Sequence, residues 1–253
     1  MIRPSAAIPR PLFGPNLEAD LIAGLAERGW AHAPNALEPE LVEDLRAEAL
    51  ALDEAGALHA GRIGRAREVH RQDRVRRARI AWLDGTTLAQ ARFLEGCEAL
   101  RVAINRALFA GLFEFEAHYA LYPPGGFYKR HLDAFARPAP GGEAGPAAAL
   151  GARAGRSRVV SLVAYLNEDW SAADGGRLAL WESCPTGMDG RADLSALNAV
   201  PPAAQIAPEG GGLVLMMSET IPHEVQPALA TRAGIAGWFR VNASVGGVVD
   251  PLR

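Results

Sequence analysis

The first part of the chain carries apolar residues at helical spacing. In Asn16-Leu-Glu-Ala-Asp-Leu-Ile-Ala-Gly-Leu-Ala-Glu-Arg28 they recur every three to four positions behind an asparagine suited to cap a helix. A second helix is predicted over 38–55, ended by Gly56. A third is predicted over 87–109, where Leu88, Ala91, Leu94, Cys97, Leu100, Val102 and Ile104 form a broad apolar side. Gly96 interrupts that run and Gly111 marks its end. After Gly111 the period changes. Residues 113–121, then the segments around Phe127, Val159, Leu178, Leu213, His223 and Ile235, are short and rich in aromatic and aliphatic residues. Gly, Pro, Asp and Asn separate them, which is the pattern of an antiparallel barrel or jelly roll. The predicted class is mainly β with N-terminal helices (α+β), a double-stranded β-helix packed against helices. One domain is expected over 1–253, with a helical part at about 1–112 and a jelly-roll core at about 113–245.

Composition narrows the field. With 26 basic and 29 acidic residues the net charge is −3, which makes no global case for a nucleic-acid or membrane partner. No apolar run approaches the length of a membrane span, and prolines break up residues 1–10 where a signal peptide would need a continuous apolar core. A cytoplasmic protein is expected. Cys97 and Cys184 are the only cysteines, too few for a disulfide framework; Cys97 is read as packing. No Gly-rich phosphate loop, Gly-x-Ser-x-Gly elbow or Cys-x-x-Cys pair is present.

The candidate chemistry lies in His131-Leu132-Asp133, answered by His223 and Arg232. Side chains two apart on a strand leave the same face, so His131 and Asp133 can reach one point while Leu132 turns away. Two imidazoles and a carboxylate make the facial triad of non-heme Fe(II) oxygenases, which leaves positions open for co-substrate and dioxygen. Arg232 lies nine positions after His223, far enough for the chain to return as a neighbouring strand. There a guanidinium could grip a carboxylate in two-point fashion, as a 2-oxoglutarate site requires. A His-x-Asp triplet alone arises often by chance. His32, His59, His70 and His118 have no carboxylate at ligand spacing with a downstream arginine, and are read as surface or hydrogen-bonded histidines.

Several segments recur together in one order: Tyr122-Pro-Pro-Gly-Gly-Phe-Tyr-Lys-Arg-His131-Leu-Asp133, Val163-Ala-Tyr165-Leu-Asn-Glu-Asp-Trp170, Gly175-Gly-Arg-Leu178 and Pro222-His223-Glu-Val225-Gln-Pro227. In that order they resemble the prolyl hydroxylase branch of the Fe(II)/2-oxoglutarate dioxygenases, most closely the hypoxia-sensing prolyl hydroxylases and their bacterial relatives. The match runs from about Tyr119 to Val241, with an echo at Arg79-Ile-Ala-Trp82-Leu-Asp-Gly85. The resemblance implies that His131, Asp133 and His223 hold Fe(II), and that Arg232, aided by Tyr165, holds the far carboxylate of 2-oxoglutarate. It implies that Tyr122, Leu178, Val225 and Trp238 line the co-substrate pocket and that Arg158 meets substrate near the entrance. Each of the apolar positions is equally readable as core. It further implies dioxygen as oxidant, ascorbate as reductant, and a protein substrate with a target proline, a translation elongation factor among the candidates.

Two stretches stand apart. Residues 134–155 hold Pro, Gly and Ala without a strand pattern and read as a long loop, either a substrate-facing lid or a surface insertion; the family pattern closes this connection with far fewer residues. Residues 62–79 are dense in arginine, while Lys129 is the only lysine of the chain. Arg76 and Arg77 within this stretch are candidate substrate-binding residues; the alternative is a coding bias towards arginine. An Arg-Gly-Asp usual there in the family is replaced by Arg76-Arg77-Ala78. Three other functions stay open: hydroxylation of a free amino acid or small metabolite, nucleic-acid demethylation within the same superfamily, and a non-enzymatic jelly-roll binding module.

Overall fold

The computed structural model describes residues 12–60, 75–134, 158–187 and 192–241. The predicted loop beyond Ala134 and residues 62–74 of the arginine-rich stretch lie outside these. Helix α1 (Pro15–Arg28) starts one residue ahead of the expected Asn16 cap. Gly14 is the cap residue and Pro15 takes the first helical position, where its fixed φ and missing N–H carry no penalty. Helix α2 (Pro39–Glu54) and helix α3 (Leu88–Leu108) fall where the periodicity puts them. Phe93, Cys97, Leu100 and Ile104 form the buried stripe of α3, whereas Leu88 is exposed. Gly96 is required there because a Cβ would collide with the Leu12 side chain.

The strands are β1 (Trp30–Ala33), β2 (His59–Ala60), β3 (Arg79–Trp82), β4 (Leu112–Tyr122), β5 (Tyr128–His131), β6 (Arg158–Tyr165), β7 (Leu178–Leu180), β8 (Ala204–Ile206), β9 (Leu213–Met217), β10 (His223–Val225) and β11 (Arg232–Val241). They form a seven-stranded sheet in the order β1-β9-β6-β11-β4-β3-β2 and a four-stranded sheet in the order β5-β10-β7-β8. Every pairing between these strands is antiparallel. This is the expected jelly roll. The expectation of a helical region up to about 112 is corrected in one respect: β1, β2 and β3 come from it and supply both edges of the larger sheet. Strands of two to four residues are too short to display a period.

Alternation sorts the larger sheet into two faces. Ala117, Tyr119 and Leu121 of β4, Leu162 and Ala164 of β6, and Ala233, Ile235 and Phe239 of β11 pack against Leu45, Phe93, Leu100 and Ile104 of the helices. The opposite face points between the sheets, where Ala120, Tyr122, Tyr165, Val214 and Met216 meet Leu178, Leu180 and Val225. Among the described residues no helix is long and apolar enough to cross a membrane.

Helix α3 ends on Phe109, which takes the left-handed conformation (φ 53°) while its ring is 89% exposed. A left-handed residue bearing a Cβ costs about 1–2 kcal/mol, and glycine is the usual residue at such an end. Phe109→Gly is expected to stabilise the protein by about 1 kcal/mol, raising Tm by roughly 2–4 °C for a chain of this size. Thermal unfolding followed by circular dichroism tests this; a lower Tm would show that the ring has a packing role.

Candidate metal centre

The pairing of β5 with β10 sets His131 directly opposite His223. Asp133 follows two residues after His131, just past the end of β5. The three side chains converge: Asp133 Oδ1 lies 3.4 Å from His131 Nε2, and Oδ2 lies 3.6 Å from His223 Nε2. Each imidazole is oriented from behind. His131 Nδ1 is 2.7 Å from the Lys129 carbonyl and His223 Nδ1 is 3.1 Å from the Ile221 carbonyl. An N–H donated to each carbonyl leaves both Nε2 lone pairs aimed at the shared point. Burial, reinforced by His131, lowers the His223 pKa to about 4, so the ring is neutral and able to ligate. Burial alone would raise the Asp133 carboxyl, but the imidazoles of His223 and His131, with Arg158, hold it well below the usual carboxylate range. Among the described residues these three are the cluster able to hold a metal ion, their ligand atoms all within 4.8 Å of one another.

Two serines that sequence reasoning missed fix the carboxylate. Ser161 Oγ donates to Asp133 Oδ2 at 2.7 Å and lies 2.8 Å from Ser218 Oγ, with both serines 1% exposed. The signal was present in the period of two, since Ser161 shares a strand face with Val163 and Tyr165. Arg130, next to His131, braces the outer side: its guanidinium lies 4.0 Å over the Trp181 ring and bonds the Leu194 carbonyl. Partners behind a ligand commonly change metal affinity 10–100-fold. Ser161→Ala is accordingly expected to weaken Fe(II) binding by about tenfold while the sheet stays intact. A competition titration with a chelator reads this directly, and unchanged affinity would return Ser161 to a packing role.

A second polar group sits deeper between the sheets. Arg232, opposite Tyr122 in the β11–β4 pairing, is 2% exposed, and its Nε donates to the Gly176 carbonyl at 2.9 Å. Its Nη2 and the Tyr165 hydroxyl are buried with no hydrogen-bond partner among the described residues. The guanidinium lies 5.1 Å from the Tyr122 ring and 5.3 Å from the Tyr165 ring. Burial raises the Tyr165 pKa, so the hydroxyl remains a proton donor. Gly176 has φ +62°, and a Cβ there would come within 3.2 Å of Arg232 Cδ; the glycine lets the backbone approach the arginine. Leu178 and Val225, cross-strand partners on β7 and β10, close the apolar side of the same space. Two buried donors left open beside an apolar wall suit an anionic group with a short carbon stem.

Trp238 lies farther along the inner face of β11, at the metal side of the barrel rather than the Arg232 end. It pairs in register with Ser161, and its ring carries Arg158 at 3.6 Å and contacts His118 and Trp82. Arg158 is ion-paired to Glu116 at 3.1 Å. His118 is neutral, its pKa lowered to about 3 by burial. Tyr128 stacks on His131 with ring centroids 3.6 Å apart, and the Arg76 guanidinium lies over the Tyr128 ring, 5.0 Å from its centroid. Arg77 is exposed, and its backbone N–H bonds the Phe127 carbonyl. The structure thus brings together the three metal candidates, gathers Arg232, Tyr165, Tyr122, Leu178 and Val225 into one pocket, and sets Trp238, Arg158 and Arg76 around its mouth. His118 and Tyr128 are the mouth residues that sequence reasoning did not single out as functional.

Comparison with known proteins agrees with this arrangement. The family model of the 2OG-Fe(II) oxygenase superfamily matches residues 117–240. A prolyl-4-hydroxylase from Pseudomonas putida is 34% identical, with 88% of this chain and 98% of that chain covered and a TM-score of 0.66. A prolyl hydroxylase from Trichoplax adhaerens, solved with a peptide fragment of the hypoxia-inducible factor oxygen degradation domain, is 25% identical with 89% of each chain covered and a TM-score of 0.68. A non-heme alpha-ketoglutarate-dependent carbocyclase of nogalamycin biosynthesis shares the fold at 13% identity, with 90% of this chain and 85% of that chain covered and a TM-score of 0.62. No curated protein sequence matches the chain.

Proposed function

Since the chain belongs to the 2OG-Fe(II) oxygenase superfamily, in its prolyl 4-hydroxylase branch, we propose that this dioxygenase hydroxylates a proline in a protein substrate. Fe(II), 2-oxoglutarate and dioxygen together supply oxidative C–H hydroxylation, yielding succinate and carbon dioxide beside the hydroxylated product. His131, Asp133 and His223 would hold the metal, and the residues present fit that role, being two imidazoles and one ionised carboxylate, each oriented by a hydrogen bond. Arg232 and Tyr165 would take the far carboxylate of 2-oxoglutarate, with Leu178 and Val225 against its methylenes and Tyr122 beside the guanidinium. Trp238 would close the metal side. The protein's own work is binding, orientation and exclusion of water.

One observation carries the reading. The buried Nη2 of Arg232 and hydroxyl of Tyr165, both without a partner among the described residues, stand in the same inner layer as a three-ligand metal centre. A binding module would have no use for that combination. The test is anaerobic loading with Fe(II) and 2-oxoglutarate, then oxygen, ascorbate as the proposed reductant, and a host-cell extract, with mass spectrometry for a new oxygen on proline. A translation elongation factor is the first candidate to inspect. Oxygen appearing on other residues, on free metabolites or on nucleic acid would replace the prolyl assignment; absence of succinate under all conditions would remove the enzyme reading.

A further inference from the structure

Several arginines among the described residues are neutralised by the protein itself. Arg158 pairs with Glu116, Arg240 with Glu114 and Glu116, Arg130 with Glu224 and Arg79 with Asp53. Arg76 is half-buried, has no acidic partner among the described residues, and its Nε is buried without an acceptor. It is held in place all the same. Arg76 forms an antiparallel bridge with Tyr128 and lies over that ring, which in turn stacks on the metal candidate His131. A cation withdrawn from water without a counter-charge is unfavourable unless a ligand supplies one.

On the reading of the chain as a prolyl hydroxylase, we infer that Arg76 is a specificity residue that binds a substrate carboxylate flanking the hydroxylated carbon. That carboxylate belongs to an aspartate or glutamate side chain, or to the substrate's C-terminus. Arg76 stands one ring away from His131, and an extended peptide advances about 3.5 Å per residue. The carboxylate therefore lies within about two residues of the target. Its guanidinium, lying over Tyr128, presents hydrogen-bond donors that a planar carboxylate can take in pairs.

The test uses blocked proline peptides that differ only in the flanking residue, as aspartate, asparagine or lysine, and a fourth with asparagine and a free C-terminus. Binding to the Fe(II)- and 2-oxoglutarate-loaded enzyme is measured without oxygen through tryptophan fluorescence, since Trp82 and Trp238 border the mouth. The aspartate peptide should bind roughly tenfold more tightly than the asparagine peptide, and the lysine peptide most weakly. Arg76→Gln should remove the difference, Arg76→Lys should keep part of it, and Arg76→Glu should invert the order of aspartate and lysine. A gain confined to the free C-terminus, lost in Arg76→Gln, would identify the terminal carboxylate as the group bound. Equal affinities in the wild type, no measurable binding of either carboxylate-bearing peptide, or an aspartate preference that survives Arg76→Gln would overturn the inference. Admitting oxygen afterwards tests the prolyl assignment separately, because binding does not depend on which atom is oxidised.

Discussion

Asp133→Asn is expected to abolish turnover and to weaken Fe(II) binding by more than about 100-fold, the upper range for changes behind a ligand. The replacement keeps the shape of the side chain but removes the charge opposite a divalent ion, and its amide can turn an N–H towards the metal. His131→Ala and His223→Ala should do the same by deleting a donor. None of the three belongs to the apolar clusters between the sheets or beneath the helices, so the far-ultraviolet spectrum should be preserved. Metal competition titration and succinate release measure the effect. Full turnover by any one of these variants would strike that residue from the ligand set.

Arg232→Ala should raise the 2-oxoglutarate concentration for half-maximal rate by tenfold to 100-fold, since a charge-assisted hydrogen bond contributes about 1.5–3 kcal/mol and about 1.4 kcal/mol is one decade. Fe(II) retention should change little, because Arg232 sits at the Tyr122 end and the metal candidates gather around Ser161. Lysine at the position keeps the charge but loses the planar fork, so it should recover part of the affinity. Tyr165→Phe removes one neutral donor and should cost less, about fivefold. Titration of the Fe(II)-loaded variants with 2-oxoglutarate, followed by the metal-to-ligand absorption band, separates these cases. Wild-type affinity in Arg232→Ala would assign the far carboxylate to another cation.

The site was legible where it depends on side chains spaced along one strand. His131 and Asp133 share a face by period, but the expectation that Arg232 returns on a strand neighbouring that of His223 is corrected: β10 belongs to the smaller sheet and β11 to the larger, so Arg232 reaches the site from the opposite layer. Helix positions were legible for the same reason, since long periodic segments record which face is buried. Three things were not. The strand Trp30–Ala33 is too short to show alternation, and only its pairing with β9 identifies it. Ser161 and Ser218 lie 57 residues apart and meet only through the fold. The packing of Trp238 beside Arg158 and His118 likewise emerges only from the fold.

Direct pairing of His131 with His223 across β5 and β10 also makes the metal centre a check on strand alignment. Side chains on a strand alternate faces, so a slip of one residue would turn His223 outward and replace it with Glu224 or Pro222. The strands are short, and backbone pairing alone discriminates weakly between neighbouring alignments. Only the native alignment presents both imidazoles to one ion, and a ligand bound by one state alone favours that state in proportion to its concentration over its dissociation constant. Metal bound between the two imidazoles would then add to the apolar pattern of Leu178, Leu180 and Val225 in favouring the native alignment of the smaller sheet.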